Sequence, residues 1–143
     1  MTDMEALLRE GRAREMAQAA FYRRLSGLAE EAGDPWLIER LNALLADEQH
    51  HISRLTAHLL EAGLRPNATA SNPPAPRLEE WEAVARAREA DEVAWYESAL
   101  SDLEPGAVAD TLREILASER HHESNLAGKW MAAVRGDPAA GES

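Results

Sequence analysis

Glu48 is followed three residues later by His51 within Ala46-Asp47-Glu48-Gln49-His50-His51, and 71 residues further on Glu119 is followed by His122 within Ala117-Ser118-Glu119-Arg120-His121-His122. Residues three apart on a helix share a face, so each motif aims one carboxylate and one imidazole the same way. Carboxylate oxygen and imidazole nitrogen are donors that iron and manganese accept, and two such faces opposed would clasp a pair of metal ions. The match continues past the motifs: Leu41, Leu44, Leu45, Ser53 and Leu55 align with Leu112, Ile115, Leu116, Ser124 and Leu126.

Four long segments must position these motifs. Thr2-Asp3-Met4-Glu5 has the form of a capping box and starts a first helix that ends near Gly33. Asp34-Pro35 supplies an N-cap and a proline at the first helical position for a second helix running to about Gly63. The stretch from Pro66 to Pro76, rich in proline and asparagine, cannot be helix interior and is the one long connection. A third helix is expected over roughly Leu78 to Leu103, a turn at Pro105-Gly106, and a fourth helix from about Ala107 to Val134. The expected domain is therefore residues 1–135, with 136–143 a disordered tail. Short first and third connections with a long middle one predict an all-α bundle of two antiparallel hairpins joined by a crossover, the connectivity of ferritin-like folds.

A dinuclear site on the second and fourth helices needs one more carboxylate from each of the others. The first helix has an inward stripe at Leu8, Gly11, Glu15, Gln18, Tyr22, Leu25 and Ala29, and Glu15 stands where an apolar residue belongs. The third repeats it with Trp81, Ala85, Glu89, Glu92, Tyr96 and Leu103. Glu89 precedes Tyr96 by seven residues as Glu15 precedes Tyr22, and Phe21-Tyr22 is matched by Trp95-Tyr96. The chain reads as an internal duplication in which each half supplies half a site.

Composition narrows the chemistry. A chain of 143 residues with 45% hydrophobic content fits one domain with one core. The absence of cysteine from the sequence removes disulfides, thiolate zinc sites and iron–sulfur clusters. A net charge of -11 argues against a nucleic-acid partner, whose phosphates need Lys and Arg. The apolar runs are short and interrupted by charge, and the start is acidic where a signal peptide is basic, so a cytoplasmic protein with no membrane association is the expectation.

On these residues the sequence resembles the rubrerythrin-type members of the ferritin-like di-iron carboxylate superfamily, from the first helix to about Val134. The resemblance implies Glu15, Glu48, His51, Glu89, Glu119 and His122 as ligands of two iron ions, with manganese the alternative metal. It implies Glu92 as the additional glutamate that marks rubrerythrins; its counterpart in the first half is Gln18. Asp47 resembles the aspartate that orients the histidine of the opposite motif, and its own counterpart is Ser118. The sequence departs from the archetype in lacking the cysteine-bound rubredoxin-like domain, so the expectation is a separate, unidentified electron donor.

Four glutamates balance the charge of two divalent ions, and Glu92 adds a fifth negative charge that favours the oxidised pair. Such a centre suits two-electron reduction of hydrogen peroxide, or oxidation of Fe(II) by peroxide or oxygen, with Glu92, Tyr22 and Tyr96 as the catalytic candidates beside the ligands. The tyrosines have packing, with the hydroxyl bonded to a carboxylate, as their plainer role. A homodimer is implied by the resemblance. Other readings share the motifs: iron storage, a di-iron hydroxylase, to which Glu92 is foreign, and a structural bundle holding zinc or manganese. His50 and His121 point to the helix flank, and His58 reads as a core-end histidine. Trp36, Trp81 and Trp130 read as packing residues, and Glu92 has a surface ion pair with Arg88 available to it.

Overall fold

The computed structural model describes residues 3–68, 72–128 and 130, and among these every regular element is helical. The elements are α1 (Met4–Glu31), α2 (Pro35–Glu61), α3 (Trp81–Ser101) and α4 (Ala107–Asn125), which form a four-helix bundle. The most extensive packing is α1 on α2 and α3 on α4.

Local chemistry fixes the helix ends. The cap of α1 is Asp3, whose carboxylate accepts from the Ala6 amide at 3.1 Å, so the first helix begins one residue later than a capping box on Thr2 would start it. Asp34 caps α2 through the Leu37 amide at 3.1 Å, ahead of Pro35, as the sequence predicts. Gly33 (φ 68°) and Gly63 (φ 75°) end α1 and α2 in the left-handed region, which costs glycine no Cβ clash. The third helix starts at Trp81 rather than Leu78, because residues 78–80 form a turn closed by the Glu80 amide on the Arg77 carbonyl. The fourth stops at Asn125, short of the expected Val134, as the chain turns at Gly128 (φ 91°). There the buried Glu82 carboxylate accepts from the amides of Gly128 and Trp130. Residues 131–134 and the tail 136–143 lie outside the described residues.

The long connection is fastened to α1 at both ends. Arg9 donates to the Arg65 carbonyl and Arg12 to the Asn67 carbonyl near the start of α1, and Arg24 donates to the Pro73 carbonyl near its end.

The apolar core is in two parts. One holds Phe21, Tyr22, Leu25 and Ala29 of α1, Leu37, Leu41 and Leu44 of α2, Trp81 and Ala85 of α3, and Leu126 just past α4. The other holds Leu8, Leu55, Leu59, Tyr96, Leu112, Ile115 and Leu116. On every helix the residues between the two parts include buried carboxylates: Glu15, Glu48, Glu89, Glu92 and Glu119. The stripe expected on α1, from Leu8 to Ala29, is buried throughout. Gly11 belongs to it for a steric reason, since a Cβ there would stand 3.2 Å from the Trp95 ring. Among the described residues no helix is long and apolar enough to cross a membrane.

Candidate metal centre

Burying four glutamates in mid-core is costly unless cations or donors meet them, and here few donors do. Glu15, Glu48, Glu89 and Glu119 are each 0% exposed, and His51 and His122 are buried beside them. Their ligand atoms converge into two groups, Glu15, Glu48, His51 and Glu119, and Glu48, Glu89, Glu119 and His122, with the atoms of each group within 4.8 Å of one another. Each group could hold a metal ion, and Glu48 and Glu119 belong to both.

The geometry around the shared pair is nearly symmetric. His51 Nδ1 lies 3.7 Å from Glu48 Oε1 and 3.4 Å from Glu119 Oε1; His122 Nδ1 lies 3.5 Å from each. Both imidazoles therefore present Nδ1 to the centre. Both oxygens of Glu48, both of Glu119 and Oε2 of Glu15 are buried without a hydrogen-bond partner. Orphaned carboxylate oxygens grouped with inward-facing imidazole nitrogen form a donor set that fits a hard or borderline cation such as iron or manganese.

Supporting contacts distinguish the two groups. On one side Glu89 is held through Oε1 by the Tyr22 hydroxyl and by Gln18 Nε2, both at 2.9 Å. His122 Nε2 lies 2.8 Å from Asp47 Oδ2, a contact that fixes the ring and frees Nδ1 as the ligand atom. On the other side His51 Nδ1 lies 2.6 Å from Glu15 Oε1. The Tyr96 hydroxyl, mirror of Tyr22, makes no hydrogen bond of good geometry, but its approach to Glu15 favours that carboxylate's ionised form.

Without a cation the centre is electrostatically frustrated. Burial, then repulsion from neighbouring carboxylates, pushes the Glu15, Glu48 and Glu119 carboxyls well above their ordinary range. Burial and the neighbouring His122 bring His51 down to about 4. His122 moves the other way: burial opposes its charge, but Glu89 and Asp47 outweigh burial and raise it. Burial first, and the carboxylates next, keep both Tyr22 and Tyr96 protonated.

Glu92, expected as a ligand, is buried beside the centre but outside both groups, paired with Arg14 at 3.2 Å. That partner comes from α1, whereas Arg88, the neighbour expected from helical spacing, donates to Gln18 at 2.7 Å. Neither arginine is expected at the site from the sequence alone; the available signal is their matching place, one residue before Glu15 and Glu89. His50 and His121 are exposed, and His58 bonds Thr111 away from the centre. Compared with protein-family models, curated proteins and solved structures, the chain matches none.

Proposed function

We propose that this protein is a ferritin-like di-iron carboxylate oxidoreductase of rubrerythrin type that reduces hydrogen peroxide, oxidises Fe(II), or does both, in defence against oxidants and free iron. The observation that carries the reading is the pair of buried four-ligand groups sharing Glu48 and Glu119. Helix direction supports the fold. α1 and α4 start in the core part holding Leu8 and Leu112, whereas α2 and α3 start in the part holding Leu37 and Trp81. That order supports two antiparallel hairpins joined by a long crossover, and the contacts of Arg9 and Arg24 with the connection support it too.

Glu15, Glu48, His51, Glu89, Glu119 and His122 would hold two iron ions, with manganese the alternative, and the pair when bound supplies two electrons and Lewis acidity for cleaving the O–O bond of peroxide. The chain's own groups prepare that site. Asp47 and the Tyr22–Gln18–Glu89 contacts hold two ligands in place, which saves reorganisation during turnover. Tyr22 and Tyr96, kept protonated, are hydroxyl donors at the edge of the centre. The apolar parts on either side exclude bulk water. The reductant is an unidentified electron donor, and a cytoplasmic homodimer belongs to the same proposal.

The test is rapid mixing of anaerobically iron-loaded protein with hydrogen peroxide and, separately, with oxygen, followed by near-ultraviolet and visible absorption. Much faster oxidation by peroxide supports the peroxidase reading. Iron uptake far beyond two ions per chain would favour storage, and no iron-dependent oxidation would overturn both.

A further inference from the structure

Arg14 and Arg88 hold matching positions in the two halves, and each reaches across to the other half. Arg14 donates from Nη1 to Glu92 Oε1 at 3.2 Å and lies over the Trp95 ring, 5.2 Å from its centre. Arg88 donates from Nε to Gln18 Oε1 at 2.7 Å and lies over the Phe21 ring at 4.6 Å. With Ala17 and Asp91, these four polar side chains line one surface cleft of about 260 Å³.

The two clasps are alike in geometry and unlike in charge. Gln18 is neutral and passes its contact inward to Glu89. Glu92 is a carboxylate with one oxygen on Arg14 and the other, Oε2, buried without a hydrogen-bond partner. It stands outside both four-ligand groups, near enough to Glu15 and Glu89 for like charges to be felt between them.

We propose that Arg14 is a positioning residue that holds Glu92 as a charge-compensated fifth carboxylate at the rim of the centre, and so sets the centre's preference for divalent over trivalent ions. The inference rests on reading the two groups as metal sites. Four carboxylates balance two divalent ions, and a Glu92–Arg14 pair adds no net charge to that balance. Without the guanidinium, the centre faces a fifth negative charge that attracts a trivalent pair more than a divalent one, and Glu92 is free to turn inward. Arg88 is the built-in comparison. It also stabilises the Glu92 charge, but after Arg14, and its direct partner is neutral.

The experiment is equilibrium binding of Mn(II) and of Ga(III), a redox-inert trivalent probe, to the metal-free full-length chain in chelator-buffered solution. Arg14→Gln should raise the Ga(III)-to-Mn(II) affinity ratio by roughly tenfold or more, and Arg14→Lys, which keeps the charge, should stay near wild type. Arg88→Gln should shift the ratio less. The Arg14→Gln effect should shrink by roughly threefold or more when Glu92→Gln is already present, because the two residues act as a unit. If Arg14→Gln does not fold, Arg14→Met, which keeps an aliphatic stem over Trp95, reads the same ratio. An unchanged ratio while Mn(II) still binds would overturn the role of Arg14 and leave the metal centre standing. An Arg14→Gln effect of equal size with and without Glu92→Gln would also overturn it, leaving Arg14 a surface charge. Failure of the wild-type chain to bind Mn(II) would remove the metal-site reading and the inference together.

Discussion

Asp47, half-exposed on α2, meets the buried Nε2 of His122 on α4 at 2.8 Å, while the other ring nitrogen of His122 faces the carboxylates of Glu48, Glu89 and Glu119. One residue thus links the surface to the centre and chooses which nitrogen of His122 faces inward. His51 has no equivalent, because Ser118 stands at the matching position.

Asp47→Ala should therefore weaken metal binding selectively. Loss of such an orienting contact costs on the order of 10- to 100-fold in affinity. Isothermal titration of the metal-free variant should show one weakened and one near-normal site. Equal weakening of both would mean that the contact does not separate them.

The two buried tyrosines should respond differently to loss of the hydroxyl. Tyr22→Phe leaves Glu89 short of a donor and should destabilise the protein by about 1–3 kcal/mol. Tyr96→Phe removes a hydroxyl that makes no hydrogen bond of good geometry, only a looser approach to Glu15, and should cost less. Urea unfolding of the two variants, side by side, checks the difference.

Stability of the metal-free chain should depend on pH in a defined direction. Glu15, Glu48 and Glu119 have folded-state values raised above 4.5, so the stability that their protonated forms contribute is present below 4.5 and lost as pH rises through the raised values. His122, raised above 6.5, acts in the same sense. His51, lowered from 6.5 to about 4, acts oppositely, its contribution being lost as pH falls through that interval. Above pH 6.5, where the His51 contribution is still in place, only the first set acts, so the Tm of metal-free protein should rise as pH falls toward 6.5. Thermal scans should show a smaller rise for Glu48→Gln/Glu119→Gln, and bound metal should reverse the trend. A Tm that falls over this interval in the metal-free wild type would contradict the electrostatic picture.

The sequence was most legible where periodicity and chemistry disagreed. Glu15 and Glu89 stand on inward stripes where an apolar residue belongs, and no ordinary helix places a glutamate there without a partner, so the sequence alone implies their burial beside Glu48 and Glu119. Asp47 enters only through the resemblance, as the aspartate directly before Glu48, with Ser118 at the matching position. The partner of Glu92 lies on another helix and is not legible from helical spacing. Helical spacing offers Arg88 to Glu92, but the bundle brings Arg14 across from α1, and only packing decides between them. The start of α3 and the end of α4 fall inside the expected ranges because turn and tertiary features set them, the Arg77–Glu80 turn and the Glu82 carboxylate that receives Gly128 and Trp130.

Anaerobic titration of the metal-free protein with Fe(II), wild type against Glu48→Ala/Glu119→Ala, reads the shared pair of ligands directly. Wild type should saturate at two irons per chain, and the double variant, stripped of the two glutamates common to both groups, should bind neither tightly. Two irons retained by a folded double variant would contradict the dinuclear centre.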